Sequence, residues 1–253
     1  FIAWAVEQGH TVFVISWVNP DARLGKKTFD DYMLEGPLAA LDAIGKAAGE
    51  DTVNAVGYCI GGTLMGAALG HMAATGRKDV GATTFFAAQH DFAEAGDLLL
   101  FTDEHWLEEI ERQMDEAGGV LPGSAMADTF NALRANDLIW SFFVSNYLMG
   151  KSPPVFDLLF WNSDVTNLPA KWHAAYLRDL YRDNRLVEPD ALSADGTKID
   201  LRLISCPTYI QAGREDHIAP AQSVFKALEH FSGPNRFVLA GSGHIAGVVN
   251  PPS

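Results

Sequence analysis

Cysteine is nearly missing from this sequence: 253 residues hold only Cys59 and Cys206. Two thiols make no disulfide framework and point to a reducing compartment, the cytoplasm. Basic residues are scarce as well, with 18 Lys and Arg against 32 Asp and Glu and a net charge of −14. A chain this acidic is a poor partner for nucleic acid, and the charge reads as a means of staying soluble. No apolar run approaches the ~18–20 residues of a membrane span. There is no signal peptide, no internal repeat and no low-complexity tract. The histidines outside position 244 lack metal-ligand spacing, so no metal is expected. An initiator Met is also lacking: the chain opens inside a helical stretch, residues 1–8, and stops at Pro251-Pro252-Ser253, so it reads as a fragment of a longer protein. The composition, 48% apolar and 20% charged, is that of an ordinary globular enzyme with a sizeable core.

The chain is organised around residues 53–62, V-N-A-V-G-Y-C-I-G-G. An apolar strand runs into Gly57-Tyr58-Cys59-Ile60-Gly61, and a helix follows. G-x-C-x-G between a strand and a helix has the form of a nucleophile elbow with sulfur in place of the usual serine oxygen. The turn is strained at its centre and needs small neighbours, expected here to be Gly57 and Gly61. It sets Cys59 at a helix N-terminus, which favours a thiolate. The Ile60 N–H would face an oxyanion formed on an attacked carbonyl. A cysteine between glycines can also be a small buried residue, and the strand–turn–helix context weighs against that.

Spacing predicts a helix over 1–8 ended by Gly9, and a strand over 11–17 (T-V-F-V-I-S-W) covered on both faces. It then predicts a helix over 29–48 disturbed at Gly36-Pro37, the elbow strand and its helix, and a strand over 80–87. Such alternation makes an α/β, doubly wound, mainly parallel sheet. From about His90 to Asp200 the rhythm stops, and helical segments (105–116, 126–134, 137–149, 171–184) surround an aromatic stretch at 156–162. About 110 residues are too many for a loop, so 90–200 reads as a helical cap inserted into a core of 1–89 and 201–253. The alternation resumes with a strand over 204–211, a helix over 219–231 and a strand over 236–240.

A thiol nucleophile needs a base, and the base needs an orienting acid. In elbow enzymes both follow later strands, in the order nucleophile, acid, histidine. Asp216 lies just past the strand ending at Gln211, and His244 just past the one ending at Ala240. An Asp there is often only a helix cap, and Glu215 and His217 compete with it. Glu215 is expected to face solvent, and His217 to line the substrate pocket. Cys206, before Pro207 in an apolar run, reads as core.

These stretches resemble one family, the catalytic domain of polyhydroxyalkanoate synthases, bacterial enzymes that polymerise 3-hydroxyacyl-CoA. The matching segments are E-Q-G-H-T-V-F-V-I-S-W-V-N-P-D-A (7–22), G-Y-C-I-G-G (57–62), F-D-L-L-F-W-N-S-D-V-T-N-L-P (156–169), G-R-E-D-H-I-A-P (213–220) and F-V-L-A-G-S-G-H-I-A-G-V-V-N-P-P (237–252). The R-E-D-H-I form looks like the short-chain, single-subunit class. The resemblance implies an α/β-hydrolase fold with a large helical cap, and a triad of Cys59, Asp216 and His244. It implies 3-hydroxybutyryl-CoA as substrate with no cofactor, a growing polyester held as a thioester, and a homodimer at cytoplasmic granule surfaces. It also implies an N-terminal domain, a further strand with the second oxyanion donor, and a C-terminal segment, none of which is present here. On that reading the 253 residues alone would be poorly soluble or inactive. Dienelactone hydrolases share a G-Y-C-x-G-G elbow and the triad order but lack a long insert. A granule scaffold with a dead site would not need an intact triad.

Overall fold

The computed structural model describes residues 1–50, 52–153, 160–161 and 164–249. The aromatic stretch at 156–162, apart from Phe160 and Trp161, therefore lies outside the described residues, as do 250–253. Contacts divide the chain into two compact units, one of residues 1–17, 28–107 and 175–253, the other of 18–27 and 108–174. In chain order the strands are β1 (Val53–Tyr58), β2 (Val80–Phe86), β3 (Val120–Leu121), β4 (Leu168–Pro169), β5 (Leu192–Ala194), β6 (Thr197–Ile199), β7 (Thr208–Gly213) and β8 (Asn235–Ala240).

The first unit is built on a four-stranded sheet of order β1-β2-β7-β8, parallel at every pairing. This is the wound α/β arrangement that the alternation of elements predicts. Helix α1 (Ile2–Glu7) opens the chain. Helix α2 (Phe29–Met33) starts at a capping box in which Thr28 and Asp31 satisfy each other's backbone N–H groups. Pro37, which has no N–H to donate, widens the next turn at Leu34–Leu38, and α3 (Ala39–Ala48) continues to the left-handed stop at Gly49.

Helix α4 (Ile60–Thr75) is the centre of this unit. It is apolar all round, and every residue from Gly62 to Met72 is buried, as expected of a helix with no solvent face. Burying Leu64, Met65, Leu69 and Met72 stabilises the fold by about 1.5–3 kcal/mol each before the entropy of ordering is subtracted. Glycines at every fourth residue, Gly62, Gly66 and Gly70, let other elements come close. A Cβ on Gly66 would stand 2.4 Å from the His90 ring. His90 itself is fully buried, with Nε2 3.2 Å from the Gly62 carbonyl oxygen and its ring edge-on to Phe85 and Phe231.

The strand expected over 11–17 is not formed: these residues join no ladder. Phe13, Val14 and Ile15 are 50%, 63% and 41% exposed. Trp17 decides the path. Its ring stacks on Tyr32 at 4.9 Å and fills the space over Gly36, where a Cβ would lie 2.2 Å from the indole. Strand preference reflects a half-buried, paired environment, and residues 11–17 have no such environment. β1 is thus an edge of the sheet, paired on one side with β2. The strand expected from 204 starts later, at Thr208, because a 3₁₀ turn holds Leu201–Leu203 and Pro207 has no N–H for a ladder.

The second unit is helical around one small ladder, β3 against β4. Helix α5 (Glu104–Glu116) leads into it and α6 (Gly123–Leu133) follows β3. Asn167 joins its parts: Oδ1 accepts from Gly123 N at 3.0 Å, Nδ2 donates to the Pro20 carbonyl at 3.1 Å, and its N–H donates to Asn19 Oδ1 at 2.9 Å. No helix of the described residues is long and apolar enough to cross a membrane.

Gly to Ala in a helix ordinarily stabilises by about 0.5–1 kcal/mol. At position 66 the sign should reverse. Gly66→Ala should destabilise by about 1–3 kcal/mol through the clash with His90. The further change His90→Ala should recover part of the loss, and thermal unfolding of the two single variants and the double variant measures that coupling.

Candidate active site

β1 ends at Tyr58 and α4 begins at Ile60, leaving Cys59 alone in the turn with φ 52° and ψ −130°. A non-glycine residue in this region of backbone space is strained. Three hydrogen bonds hold it there. The Cys59 N–H donates to the Phe86 carbonyl at 2.9 Å, and its own carbonyl accepts from Gly62 N at 2.9 Å and Thr63 N at 3.2 Å. Ile60 takes the first helical position, where backbone N–H groups have no acceptor within the helix.

The two glycines that the turn requires are Gly57 and Gly62, not Gly57 and Gly61. A Cβ on Gly57 would lie 2.5 Å from Gly62 Cα, and one on Gly62 would lie 2.4 Å from Ala88 Cβ. One on Gly61 would meet nothing within 4 Å. The strand and the helix cross closely one residue further along than the motif spacing indicates.

Asp216 and His244 come from the turns after β7 and β8, neighbouring strands. The turns interlock: Arg214 N donates to the Ala240 carbonyl at 2.8 Å and Glu215 N to the Ser242 carbonyl at 3.1 Å. Asp216 is buried and divides its two oxygens. Oδ1 accepts from Ile218 N and Ala219 N, both at 2.9 Å, capping the local turn. Oδ2 lies 2.7 Å from His244 Nδ1. Both readings of this Asp, as cap and as partner of the histidine, hold at once. Glu215 is exposed, and His217 is half-buried in the same loop. Cys206, half-buried, has its sulfur 3.8 Å from the Thr83 hydroxyl, away from this cluster.

The Cys59 side chain is near enough to the His244 ring to act on its titration. Burial alone would push its pKa down. The bond to Asp216, the Cys59 side chain and the charges of both outweigh burial and lift it to about 10. The ring is thus held on one side by a carboxylate, with a thiol in its electrostatic surroundings.

Several neighbours gave no signal in the sequence. Tyr58 donates its hydroxyl to the His244 carbonyl at 3.0 Å. Burial, then the charges of Cys59 and Asp216, push its phenol pKa up. Tyr181 donates to Gln89 Oε1 at 3.3 Å, and its phenol is raised by burial and then by the charge on Cys59. Gln89 passes the connection on, with Nε2 donating to Ser223 Oγ at 3.0 Å and its backbone carbonyl accepting from Thr63 Oγ1 at 2.7 Å in the first turn of α4. Among the described residues no group of His, Cys, Asp and Glu is arranged to hold a metal.

The raised His244 pKa has a definite sign. Its stabilisation is complete below the ordinary value of 6.5 and is lost as pH rises through about 10. Asp216→Asn should therefore lower the thermal midpoint most near pH 6, and the gap to the unsubstituted protein should narrow towards pH 10–11. A gap independent of pH, in melts at matched ionic strength, would show that the ion pair contributes nothing.

A family model for the alpha/beta hydrolase fold matches residues 3–251. The chain is 51% identical over 251 residues to the poly(3-hydroxyalkanoate) polymerase of Methylorubrum extorquens, covering 99% of this chain and 41% of that one. It is 52% identical to the polymerase subunit of Rhizobium meliloti, covering 100% and 41%, and 43% identical to that of Cupriavidus necator, covering 98% and 43%. It thus spans about two fifths of the length of these curated relatives. Among solved structures, a hydrolase from Pseudomonas aeruginosa matches with TM-score 0.51 and 17% identity over 92% of this chain and 69% of that one, a likeness of fold. With nearly all its residues inside the family model, the chain belongs to the α/β-hydrolase fold family, and along its whole length it is similar to the poly(3-hydroxyalkanoate) polymerases.

Proposed function

We propose that this chain is the catalytic part of a poly(3-hydroxyalkanoate) polymerase, with Cys59 as nucleophile, His244 as base and Asp216 as its orienting acid. The observation that carries the reading is the linked series itself. A cysteine in a strained strand-to-helix turn acts on the titration of a buried histidine, whose Nδ1 lies 2.7 Å from a buried carboxylate. The names of relatives that match 98–100% of the chain support the choice of reaction.

The steps balance as acyl transfer. His244 takes the Cys59 proton, and Asp216 holds the imidazolium. The thiolate adds to the carbonyl of a 3-hydroxyacyl-CoA, and the Ile60 N–H faces the oxyanion. The C–S bond to CoA breaks, His244 returns its proton to the leaving thiolate, and a thioester on Cys59 remains. The hydroxyl of another 3-hydroxyacyl-CoA then gives its proton to His244 and attacks the Cys59 thioester. The C–S bond to Cys59 breaks as the ester C–O bond forms, and the sulfur takes the proton back from His244. The lengthened chain leaves on the attacking CoA thioester, ready to acylate Cys59 again. One thioester is exchanged for another in the first half, which is energetically near neutral. We assign 3-hydroxybutyryl-CoA as substrate, with no cofactor, and His217 as a substrate contact. The site of action is a homodimer at the surface of cytoplasmic polymer granules.

The test uses the full chain of the protein, CoA release from 3-hydroxybutyryl-CoA, and sizing of the product. Cys59→Ala should abolish release with little change in thermal midpoint, since it removes one sulfur atom from a half-buried position. Cys59→Ser should lose on the order of a hundredfold or more, because a serine hydroxyl needs a stronger base. Polymer made at the unsubstituted rate by Cys59→Ala would sink the assignment. Free 3-hydroxy acid as the only product would make the enzyme a hydrolase.

A further inference from the structure

The segment that carries His244 has no strand or helix of its own. After β8 it folds as turns, with Gly247 N bonded to the Gly243 carbonyl at 3.2 Å and Val249 N to the Ile245 carbonyl at 2.8 Å. Two side chains from different strands fasten it to the sheet. Tyr58, the last residue of β1, reaches the His244 carbonyl at 3.0 Å, and its ring lies 5.3 Å from the imidazole at an angle of 31°. Gln211, on β7 opposite Phe86 and Val238, donates from Nε2 to the Gly247 carbonyl at 3.2 Å. The two acceptors are three residues apart and bracket the turn.

Gln211 is the more telling of the two. It is 5% exposed, and its Oε1 is buried with no hydrogen-bond partner among the described residues. A buried amide oxygen without a protein partner is destabilising, and an apolar side chain of similar shape would avoid it. The amide cannot turn over to relieve it, because Oε1 would then face the Gly247 carbonyl, acceptor against acceptor. A local rule broken in the core without structural gain is where function is to be looked for.

We propose that Tyr58 and Gln211 are positioning residues, holding the His244 turn so that the imidazole keeps its contacts with both Asp216 and Cys59. The inference rests on Cys59 and His244 acting as nucleophile and base, and the test separates the two claims because it needs no substrate. Iodoacetamide alkylation of the full chain is followed at the Cys59 peptide by mass spectrometry, across pH, for the unsubstituted protein, Tyr58→Phe, Gln211→Met and the double variant. Each single change should slow alkylation at pH 7 about fivefold and move the rate profile to higher pH, with the double variant slowest. The thermal midpoint of Gln211→Met should stay within about 2 °C or rise. A purely structural role predicts the reverse, a lower midpoint with an unmoved pH profile, and that result overturns the proposal. Unchanged rates and profiles overturn it as well. A Cys59 no more reactive than Cys206 in the unsubstituted protein removes the nucleophile assignment itself, and the positioning claim falls with it.

Discussion

One backbone torsion sets the terms for the rest of the first unit. Cys59 sits at φ 52°, a conformation that costs a non-glycine residue about 1–3 kcal/mol and persists only where its surroundings impose it. Those surroundings are all immediate neighbours. β2 supplies the Phe86 carbonyl, α4 supplies the Gly62 and Thr63 N–H groups, and the Gly57–Gly62 crossing lets the strand and helix backbones touch. The all-apolar burial of α4 follows from the same demand, because a helix that clamps a strained turn has to be held firmly on every side.

Electrostatics at the site runs against the character of the whole chain. The protein carries a net charge of −14, yet the histidine at its centre is driven towards the cationic form. Short range decides this: a carboxylate at 2.7 Å with its second oxygen already committed to two backbone N–H groups cannot swing away. Surface charges at more than a Debye length, about 8–10 Å, are screened and contribute little. The buried chain from Tyr181 through Gln89 to Ser223 and Thr63 ties the first turn of α4 to the segment after β2, so the cysteine and its supports form one hydrogen-bonded body.

Much of this was legible in the sequence because it depends on local pattern. The parallel strands at 53–58, 80–86 and 235–240 each carry β-branched and aromatic residues, and the break at Gly36-Pro37 follows from a missing N–H. The order of Cys59, Asp216 and His244, each just after a strand, is likewise a matter of position along the chain. Where position was not enough, contacts across the fold decided. Residues 11–17 have the composition of a strand, but Trp17 stacks on Tyr32 and the segment stays unpaired. The small glycine that matters is Gly62 because Ala88, 26 residues on, approaches it. Gln211 and Tyr58 gave no sign, since their partners are backbone carbonyls 36 and 186 residues away. One signal was present and unread. Asp195-Gly196, both at positive φ, turns the β5–β6 hairpin, and Asp-Gly between short β-prone runs is a strong hairpin marker.

The bond from Cys59 N to the Phe86 carbonyl also sets a timetable. Phe86 is made after the whole of α4, so while the ribosome is still producing that helix the turn lacks the acceptor that holds it. Asp216 and His244 arrive some 157 and 185 residues after the cysteine. Until those two residues are made, the sulfhydryl has neither the carboxylate nor the imidazole in its surroundings. Cys59, Asp216 and His244 therefore stand together only once the turns after β7 and β8 have formed.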